Sequence, residues 1–203
     1  MRRSTIDARR SGGYALVMIA TSSLGPTLET ERLILRPPVA EDFDGFCAFC
    51  ADAEAMKHLG GAQTPPMVWR MFTSIAGAWR LYGFHMFSVL DKASGAWIGR
   101  IGPLQPFGWP GREVGWGLMT AHQGKGYARE AAVACMDFVF DRLGWDEVIH
   151  TINPGNRPSA ALAAALGSVN RGPGQLPDPY ADERVDIWGQ SRADWRENRK
   201  RFL

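Results

Sequence analysis

The sequence predicts one α/β domain with a mixed, mostly antiparallel central sheet flanked by helices. The chain has 203 residues, of which 45% are hydrophobic and 22% charged, with a formal net charge of +2. Such a composition favours a folded core over disorder. Segments in which apolar residues have the period of a strand are followed by segments in which they have the period of a helix. No internal repeat or composition break divides the chain.

Strands are predicted over 31–36, 84–90, 96–101, 112–119, 147–152 and 184–188, and helices over 41–56, 65–82, 126–143, 158–166 and roughly 191–201. Pro37 and Pro38 stop the first strand, whereas Pro65 and Pro66 suit the first turn of the second helix.

Turn chemistry sets the remaining boundaries. The segment 91–95 (Asp-Lys-Ala-Ser-Gly) is typical of a hairpin turn, so it joins the second and third strands. Gly144 ends the long helix predicted over 126–143, and Gly167 ends the alanine-rich helix that begins near Pro158.

Charge divides the chain into a mildly acidic body and two basic ends. Residues 1–10 and 192–203 each sum to +3, which leaves −4 for the residues between them. We expect a flexible N-terminal arm over 1–27, one folded domain over 28–190 and a basic C-terminal helix or tail over 191–203. Basic ends are usually solvated termini, and no recognition motif favours nucleic acid as a partner. Met18 is an alternative start to Met1.

Cysteine and histidine usage argues against metal and disulfide chemistry. The three cysteines, Cys47, Cys50 and Cys135, make neither a disulfide framework nor a four-ligand zinc site, and they suit a reducing cytoplasm. The four histidines show no ligand spacing, so no metal site is predicted. No apolar run approaches the ~18 residues needed to cross a bilayer, so no membrane partner is expected.

The informative motif is Gln123-Gly-Lys-Gly-Tyr-Ala128, between a strand and a long helix. Gly124 and Gly126 let the backbone bend so that successive N–H groups point into one concavity, beside the positive end of the helix dipole. This is an anion site suited to a phosphate or pyrophosphate. It is not a P-loop, because Lys125 is followed by Gly126, and Arg129 breaks the dinucleotide fingerprint.

The motif resembles the Gln/Arg-x-x-Gly-x-Gly/Ala signature of GNAT acyltransferases, which bind acetyl-CoA. Three further segments resemble the branch that acetylates ribosomal-protein N-termini. They are Leu28-Glu-Thr-Glu-Arg-Leu-Ile-Leu-Arg36, Glu113-Val-Gly-Trp116, and Asn156-Arg-Pro-Ser159 with Leu166-Gly167. The resemblance covers roughly residues 28–190, with the motifs in the family's order.

The resemblance implies where acetyl-CoA, the co-substrate, binds. Its pyrophosphate is expected on the amides of Gln123, Gly124, Lys125, Gly126, Tyr127 and Ala128. The peptide-like pantetheine arm is expected along the backbone of Leu118, Met119 and Thr120, where two strands splay apart. Asn156 is the expected side-chain contact to the pantetheine, and an N–H near Leu118 would polarise the thioester carbonyl.

Two side chains are the candidates for catalysis. Glu113 is the expected general base, acting through water; the alternative is a surface carboxylate paired with Arg100 or Arg112. Ser159 is the candidate to orient or protonate the leaving sulfur; the alternative is a helix cap after Pro158. Many GNAT enzymes use a Tyr seven residues after the Asn, where this chain has Ala163.

The expected function is N-acetyl transfer from acetyl-CoA to a primary amine, either a protein N-terminus or a small molecule. The alternative is a CoA-binding or protein-interaction module of the same fold with weak or absent catalysis. The acidic body suits a cationic acceptor, and region 57–82 is expected to select it. A homodimer is left open.

Overall fold

The computed structural model describes residues 24–202, which form an eight-stranded sheet flanked by helices. The strands are β1 (Leu28–Glu29), β2 (Leu33–Arg36), β3 (Phe87–Asp91), β4 (Trp97–Leu104), β5 (Glu113–Leu118), β6 (Glu147–Ile152), β7 (Val169–Gly174) and β8 (Val185–Ser191). They lie in the order β1-β2-β3-β4-β5-β6-β8-β7. The predicted mixed α/β fold is thereby confirmed.

The helices are α1 (Phe43–Ala51), α2 (Ala53–Met56), α3 (Pro65–Tyr82), α4 (Tyr127–Asp137), α5 (Arg157–Leu166) and α6 (Arg192–Asn198). Helices α1 and α3 pack together, and α1 also packs against β4; α4 packs against β4 and β5. The core between them is rich in aromatic rings, with Phe49, Trp79, Phe87 and Phe140 among its fully buried side chains.

The feature that positions the site is the divergence of β5 and β6. Every other neighbouring pair in the sheet is antiparallel, whereas these two strands run parallel and are in register only at Glu113 opposite Ile149. Beyond that pair the strands separate, so the backbone of β5 has a free edge in the middle of the sheet.

Two of the predicted helices are divided in the structure. The helix predicted over 41–56 is interrupted at Asp52, whose backbone is extended and whose carboxylate caps α2 by accepting from the N–H groups of Glu54 and Ala55. The helix predicted over 126–143 changes at Phe138 into a π-helical turn that runs to Arg142. Local periodicity does not distinguish these interruptions from one continuous helix.

The C-terminal part is more ordered than its sequence suggested. Strand β7 has the sequence Val-Asn-Arg-Gly-Pro-Gly, and it tolerates a proline because it lies at the edge of the sheet. Helix α6 is not a solvated tail: Trp195 is buried, and its indole N–H donates to Asp137 on α4. Arg199 pairs with the same carboxylate at 2.8 Å.

Residues 1–23 of the predicted N-terminal arm, with the alternative start at Met18, lie outside the described residues. The sheet begins at Leu28. Within the described part, no helix is both long and apolar enough to span a membrane.

Candidate active site

The glycine-rich loop has the backbone conformation that its sequence predicts. Gly124 and Gly126 have φ angles of +72° and +81°, in the left-handed region that favours glycine. The first helical hydrogen bond of α4 runs from Glu130 N to Gly126 O at 3.1 Å, so the amides of residues 127–129 precede any intrahelical acceptor. Such amides form an anion site at the positive end of the helix.

A polar cluster holds this loop against the first hairpin. The Glu130 carboxylate accepts hydrogen bonds from the Thr30 hydroxyl at 2.6 Å, from Arg32 N at 2.8 Å and from Arg32 Nε at 2.6 Å. Arg32 also donates to the carbonyl of Lys125 at 3.0 Å and lies over the Tyr127 ring. Burial opposes ionisation of Glu130, but these hydrogen bonds keep the pKa of its carboxyl below the ordinary value. Glu130 therefore positions the loop, beyond its favourable interaction with the helix dipole.

A cavity of about 550 Å³ extends from this loop along β5 to the start of α5. It brings together most of the residues predicted to bind CoA: Leu118, Gln123, Gly124, Gly126, Tyr127, Ala128 and Asn156. Met119, Thr120 and Lys125 do not line it. Met119 N is bonded to Ile98 O, and the carbonyl of Lys125 accepts from Arg32.

The edge of β5 faces this cavity with backbone donors. The carbonyls of Arg112, Val114 and Leu118 point away from β4, since they accept from Ile149 N, His150 Nδ1 and Gln123 Nε2. Backbone groups alternate sides along a strand, so the N–H groups of Trp116 and Leu118 face the same gap. Strand β6 has already diverged there and offers no register partner.

A second cavity, of about 360 Å³, contains Glu113 in its wall. The carboxyl is 6% exposed, and its Oε2 accepts hydrogen bonds from Trp109 Nε1 at 2.6 Å and Thr151 Oγ1 at 2.8 Å. Burial raises the pKa of the Glu113 carboxyl from 4.5 to about 7, although both hydrogen bonds lower it. Glu113 is thus not the surface carboxylate of the alternative interpretation, and it forms no ion pair with the described arginines.

The two cavities meet at Ser159. Trp116, Asn156 and Ser159 line both of them, together with His58 and Leu59. The Trp116 indole donates to Ser159 Oγ at 3.1 Å. Asn156, and not Ser159, caps α5, because its Oδ1 accepts from Ser159 N at 3.2 Å. The cap interpretation of the Ser159 hydroxyl is therefore wrong, and that hydroxyl can donate into the junction.

A buried hydrogen-bonded chain supports Trp116. His150 is 1% exposed; its Nδ1 donates to Val114 O at 2.7 Å, and its Nε2 accepts from Ser168 Oγ at 3.0 Å. Gln190 in turn donates to Ser168 Oγ at 3.0 Å. Burial lowers the pKa of His150 to about 4, so the ring is neutral and its tautomer fixed. The ring packs 4.7 Å from the Trp116 ring, centroid to centroid.

Several residues of the site are not apparent from the sequence. Trp109, Thr151 and His150 carry no motif, and the segment 176–183, which closes one side of the 360 Å³ cavity, lies far along the chain. Region 57–82 contributes as expected through residues such as His58, Met71 and Ile75. Among residues 24–202, no group of histidine, cysteine or acidic side chains has the arrangement of a metal site.

Comparison with known proteins places the chain in a family. Residues 32–169 match the model of the acetyltransferase (GNAT) domain. The chain is 31% identical over 157 residues to an uncharacterized N-acetyltransferase, p20, from Bacillus licheniformis, covering 72% of this chain and 84% of that protein. A match to the uncharacterized protein YkkB from Bacillus subtilis, 34% identical over 88 residues, covers 42% of this chain and spans about half (51%) of that protein. The chain belongs to the GNAT acetyltransferase family and is an acyl-CoA-dependent acyltransferase.

Solved structures show the same fold. The acetyltransferase from Agrobacterium tumefaciens has a TM-score of 0.72 and 30% identity, covering 89% of this chain and all (100%) of that one. The ribosomal-protein-S5-alanine acetyltransferase from Vibrio fischeri has a TM-score of 0.63 and 22% identity, covering 84% and 98% of the two chains. The fold of this chain is thus shared with a ribosomal-protein acetyltransferase.

Proposed function

We propose that this protein transfers the acetyl group of acetyl-CoA to a primary amine, with Glu113 as general base and Ser159 as the proton donor to the leaving sulfur. The observation that carries this proposal is the junction of the two cavities at Ser159. One cavity ends on the anion-binding loop at Gly124 and Gly126, and the other contains a buried carboxyl. A co-substrate in the first and an amine in the second would meet at that junction.

The residues of the first cavity fit CoA. The unpaired amides at the start of α4 suit its pyrophosphate, and the free edge of β5 suits the amides of its pantetheine arm. Asn156 offers its Nδ2, which has no hydrogen-bond partner within residues 24–202, to the same arm. Bound there, acetyl-CoA would supply a thioester: the amine nitrogen forms the new C–N bond and the C–S bond breaks. The sulfur takes a proton from Ser159 and leaves as the thiol, and Ser159 regains a proton from the nitrogen.

The residues at the junction suit the proton transfers. Glu113 accepts the proton of the acceptor ammonium through water, and a pKa of about 7 keeps a large fraction of the carboxyl ionised near neutral pH. The Leu118 N–H faces the place where negative charge develops on the carbonyl oxygen. Since Trp116 donates to Ser159 Oγ, the Ser159 proton is available for the sulfur.

A direct assay tests this function. Purified protein, acetyl-CoA and a panel of small amines and peptides with free N-termini are mixed, and thiol release is compared with N-acetylated product measured by mass spectrometry. We expect equal amounts of both. Tight CoA binding without product on any acceptor would favour the non-catalytic module instead. We also propose a cytoplasmic location, which the three unpaired cysteines support.

A further inference from the structure

The 360 Å³ cavity has in its wall a half-buried cation that forms no ion pair with the described residues. Arg100, on β4, lines the 360 Å³ cavity, and its Nε is inaccessible to solvent and has no hydrogen-bond partner. Its guanidinium forms no ion pair or side-chain hydrogen bond with any of residues 24–202. Other arginines of the fold do contact carboxylates: Arg32, Arg36, Arg171, Arg192 and Arg199.

The surroundings of Arg100 hold it in place without an ion pair, and the charge of Glu113 acts on it only across the cavity. The guanidinium lies 5.6 Å from the centroid of the Phe46 ring and 5.9 Å from that of Phe49. Burial raises the pKa of the neighbouring Cys50 thiol to about 11, so that thiol is neutral. Burial also lowers the pKa of Arg100, but a guanidinium remains protonated in proteins. A desolvated charge without a partner is costly, and a bound anion would remove that cost.

A second unpaired polar atom lines the same cavity. His85 Nδ1 is buried without a hydrogen-bond partner. Burial first, and the charge of Arg100 second, lower the pKa of His85 to about 4, so its ring is neutral at physiological pH. In the tautomer with the proton on Nδ1, this ring is a further donor beside the guanidinium. Two unsatisfied donors in one wall suit the two oxygens of a carboxylate.

Arg100 and Glu113 lie on the same face of the sheet, which forms one wall of the cavity. In the β4–β5 register, Arg100 is opposite Gly117 and Leu104 is opposite Glu113. Between these pairs lie Gly102 and Gly115, which place no side chain there. The two sites are thus four residues apart along the strands, about 14 Å between Cα positions at ~3.4 Å per residue, and both side chains shorten that gap.

The acidic and basic side chains of the cavity lie toward opposite ends of this face of the sheet. Glu113 is joined to Trp109, whose ring contacts that of Tyr180 in the segment that also carries Asp178 and Glu183. Those two carboxylates are exposed residues of the cavity lining. One end is therefore acidic and suits an ammonium, whereas the Arg100 end suits an anion.

The geometry points to an acceptor that carries a carboxylate as well as its reactive amine, with the carboxylate bound by Arg100 and His85 while the amine faces Glu113. This inference rests on the proposed acetyl transfer and narrows its acceptor. The volume of about 360 Å³ is at the small end of ligand pockets and fits a molecule of amino-acid size. A peptide N-terminus followed by an acidic side chain would present the same two groups.

The test compares acceptors that differ only in the negative charge. Each amino acid in a series of two to six carbons is compared with its amide. Each peptide with Asp or Glu in the second position is compared with its Asn or Gln counterpart. Thiol release is measured for the wild type, Arg100→Met, Arg100→Lys and Arg171→Met. Arg171 pairs with Glu147 at an edge strand away from the cavity, so its variant controls for loss of one positive charge.

We expect kcat/KM of the wild type to be at least tenfold higher for a carboxylate acceptor than for its amide. Arg100→Met should abolish that preference by raising KM for the carboxylate more than for the amide, and its circular dichroism and melting temperature without ligand show that the variant is folded. Arg100→Lys should retain part of the preference, and Arg171→Met all of it. Which series is preferred, amino acids or peptides, identifies the source of the carboxylate.

Equal use of amides and carboxylates by the wild type, or a preference that survives Arg100→Met, would overturn the inference and leave acetyl transfer standing. If no acceptor releases thiol, the proposed function fails. The anion site is then tested by itself, through the rise in melting temperature that each acceptor causes. A rise with carboxylates that is absent for amides and lost in Arg100→Met would support the anion site. No such rise would refute it.

Discussion

At the scale of the residue, the chemistry of the site depends on how each titratable side chain is surrounded. Glu113 and Glu130 are both carboxyls on predicted elements, yet their pKa values move in opposite directions. Glu113 is desolvated by the cavity wall, whereas Glu130 is stabilised as an anion by Arg32 and Thr30. The first is therefore suited to exchange a proton near neutral pH, and the second to hold a loop.

Replacing Glu113 by Gln should remove the general base. We expect kcat to fall by about 10²- to 10⁴-fold, the usual contribution of positioned proton transfer. Because only the ionised carboxylate accepts a proton, kcat/KM of the wild type should rise with pH through about 7, and Glu113→Gln should lose this dependence. Thiol release measured from pH 5.5 to 9 checks both. An unchanged acidic limb in the variant would assign that limb to another group.

The same substitution should change the pH dependence of stability. The pKa of Glu113 is raised in the folded state, so between pH 4.5 and about 7 the unfolded chain ionises while the folded protein stays protonated, and stability is lost as the pH rises. At ~1.4 kcal/mol per unit of pKa, the loss is up to about 3 kcal/mol. The difference in unfolding free energy between wild type and Glu113→Gln, from urea titrations at pH 4.5 and 8, should show it. The difference cancels the opposing contributions of His85 and His150.

Substitutions at Ser159 and Asn156 should distinguish proton donation to the sulfur from capping of α5. Ser159→Ala is expected to lower kcat while leaving the free energy of unfolding nearly unchanged, because the cap of α5 is Asn156. Asn156→Ala should instead cost about 1 kcal/mol of stability through the lost cap, and weaken CoA binding. Kinetics and denaturation of both variants check this. A Ser159→Ala variant with full kcat would leave the hydroxyl no role in the reaction.

At the scale of the element, the conformation of the glycine-rich loop was predictable and several element boundaries were not. Two glycines between a strand and a helix specify left-handed turns through local sterics, and the structure has them. The first predicted helix is interrupted at Asp52, and the distant Thr120 contributes most to lowering the pKa of the Asp52 carboxyl. Strand β7 exists because β8 pairs with it, although its own Gly and Pro residues favour a turn.

The loop can be tested with a matched pair of glycines. Gly124 and Gly95 have φ angles of +72° and +71°, and an added Cβ would meet nothing within 4 Å at either position. Leu at each should therefore cost a similar ~1–2 kcal/mol of stability. Only Gly124→Leu should also weaken CoA binding, by at least tenfold in calorimetry, because it covers amides of the anion site. Equal CoA affinity in both variants would contradict the assignment of the loop.

At the scale of the whole molecule, the 550 Å³ cavity proposed to bind CoA is built by β5, α4, α5 and the segment 54–59, which are far apart in the chain. A ligand that joins them stabilises the folded state by mass action, about 2.7 kcal/mol at a concentration of 100 times Kd. For a chain of this size we expect CoA to raise the melting temperature by about 5–10 °C. Differential scanning calorimetry checks this, with Gly124→Leu as the control that should shift less. The absence of any shift at saturating CoA would count against both acetyl transfer and the non-catalytic alternative.

The sequence by itself determined the fold class, the family resemblance and the turns of the glycine-rich loop, because periodicity, turn residues and short motifs act over a few neighbouring positions. Only the tertiary structure decided that Glu113 is buried between Trp109 and Thr151, and that Asn156 caps the helix and so frees the Ser159 hydroxyl. It also decided that Arg100 lines the 360 Å³ cavity and that its Nε has no hydrogen-bond partner there. Burial and pairing are set by side chains that meet from distant parts of the chain, and no local pattern encodes that meeting.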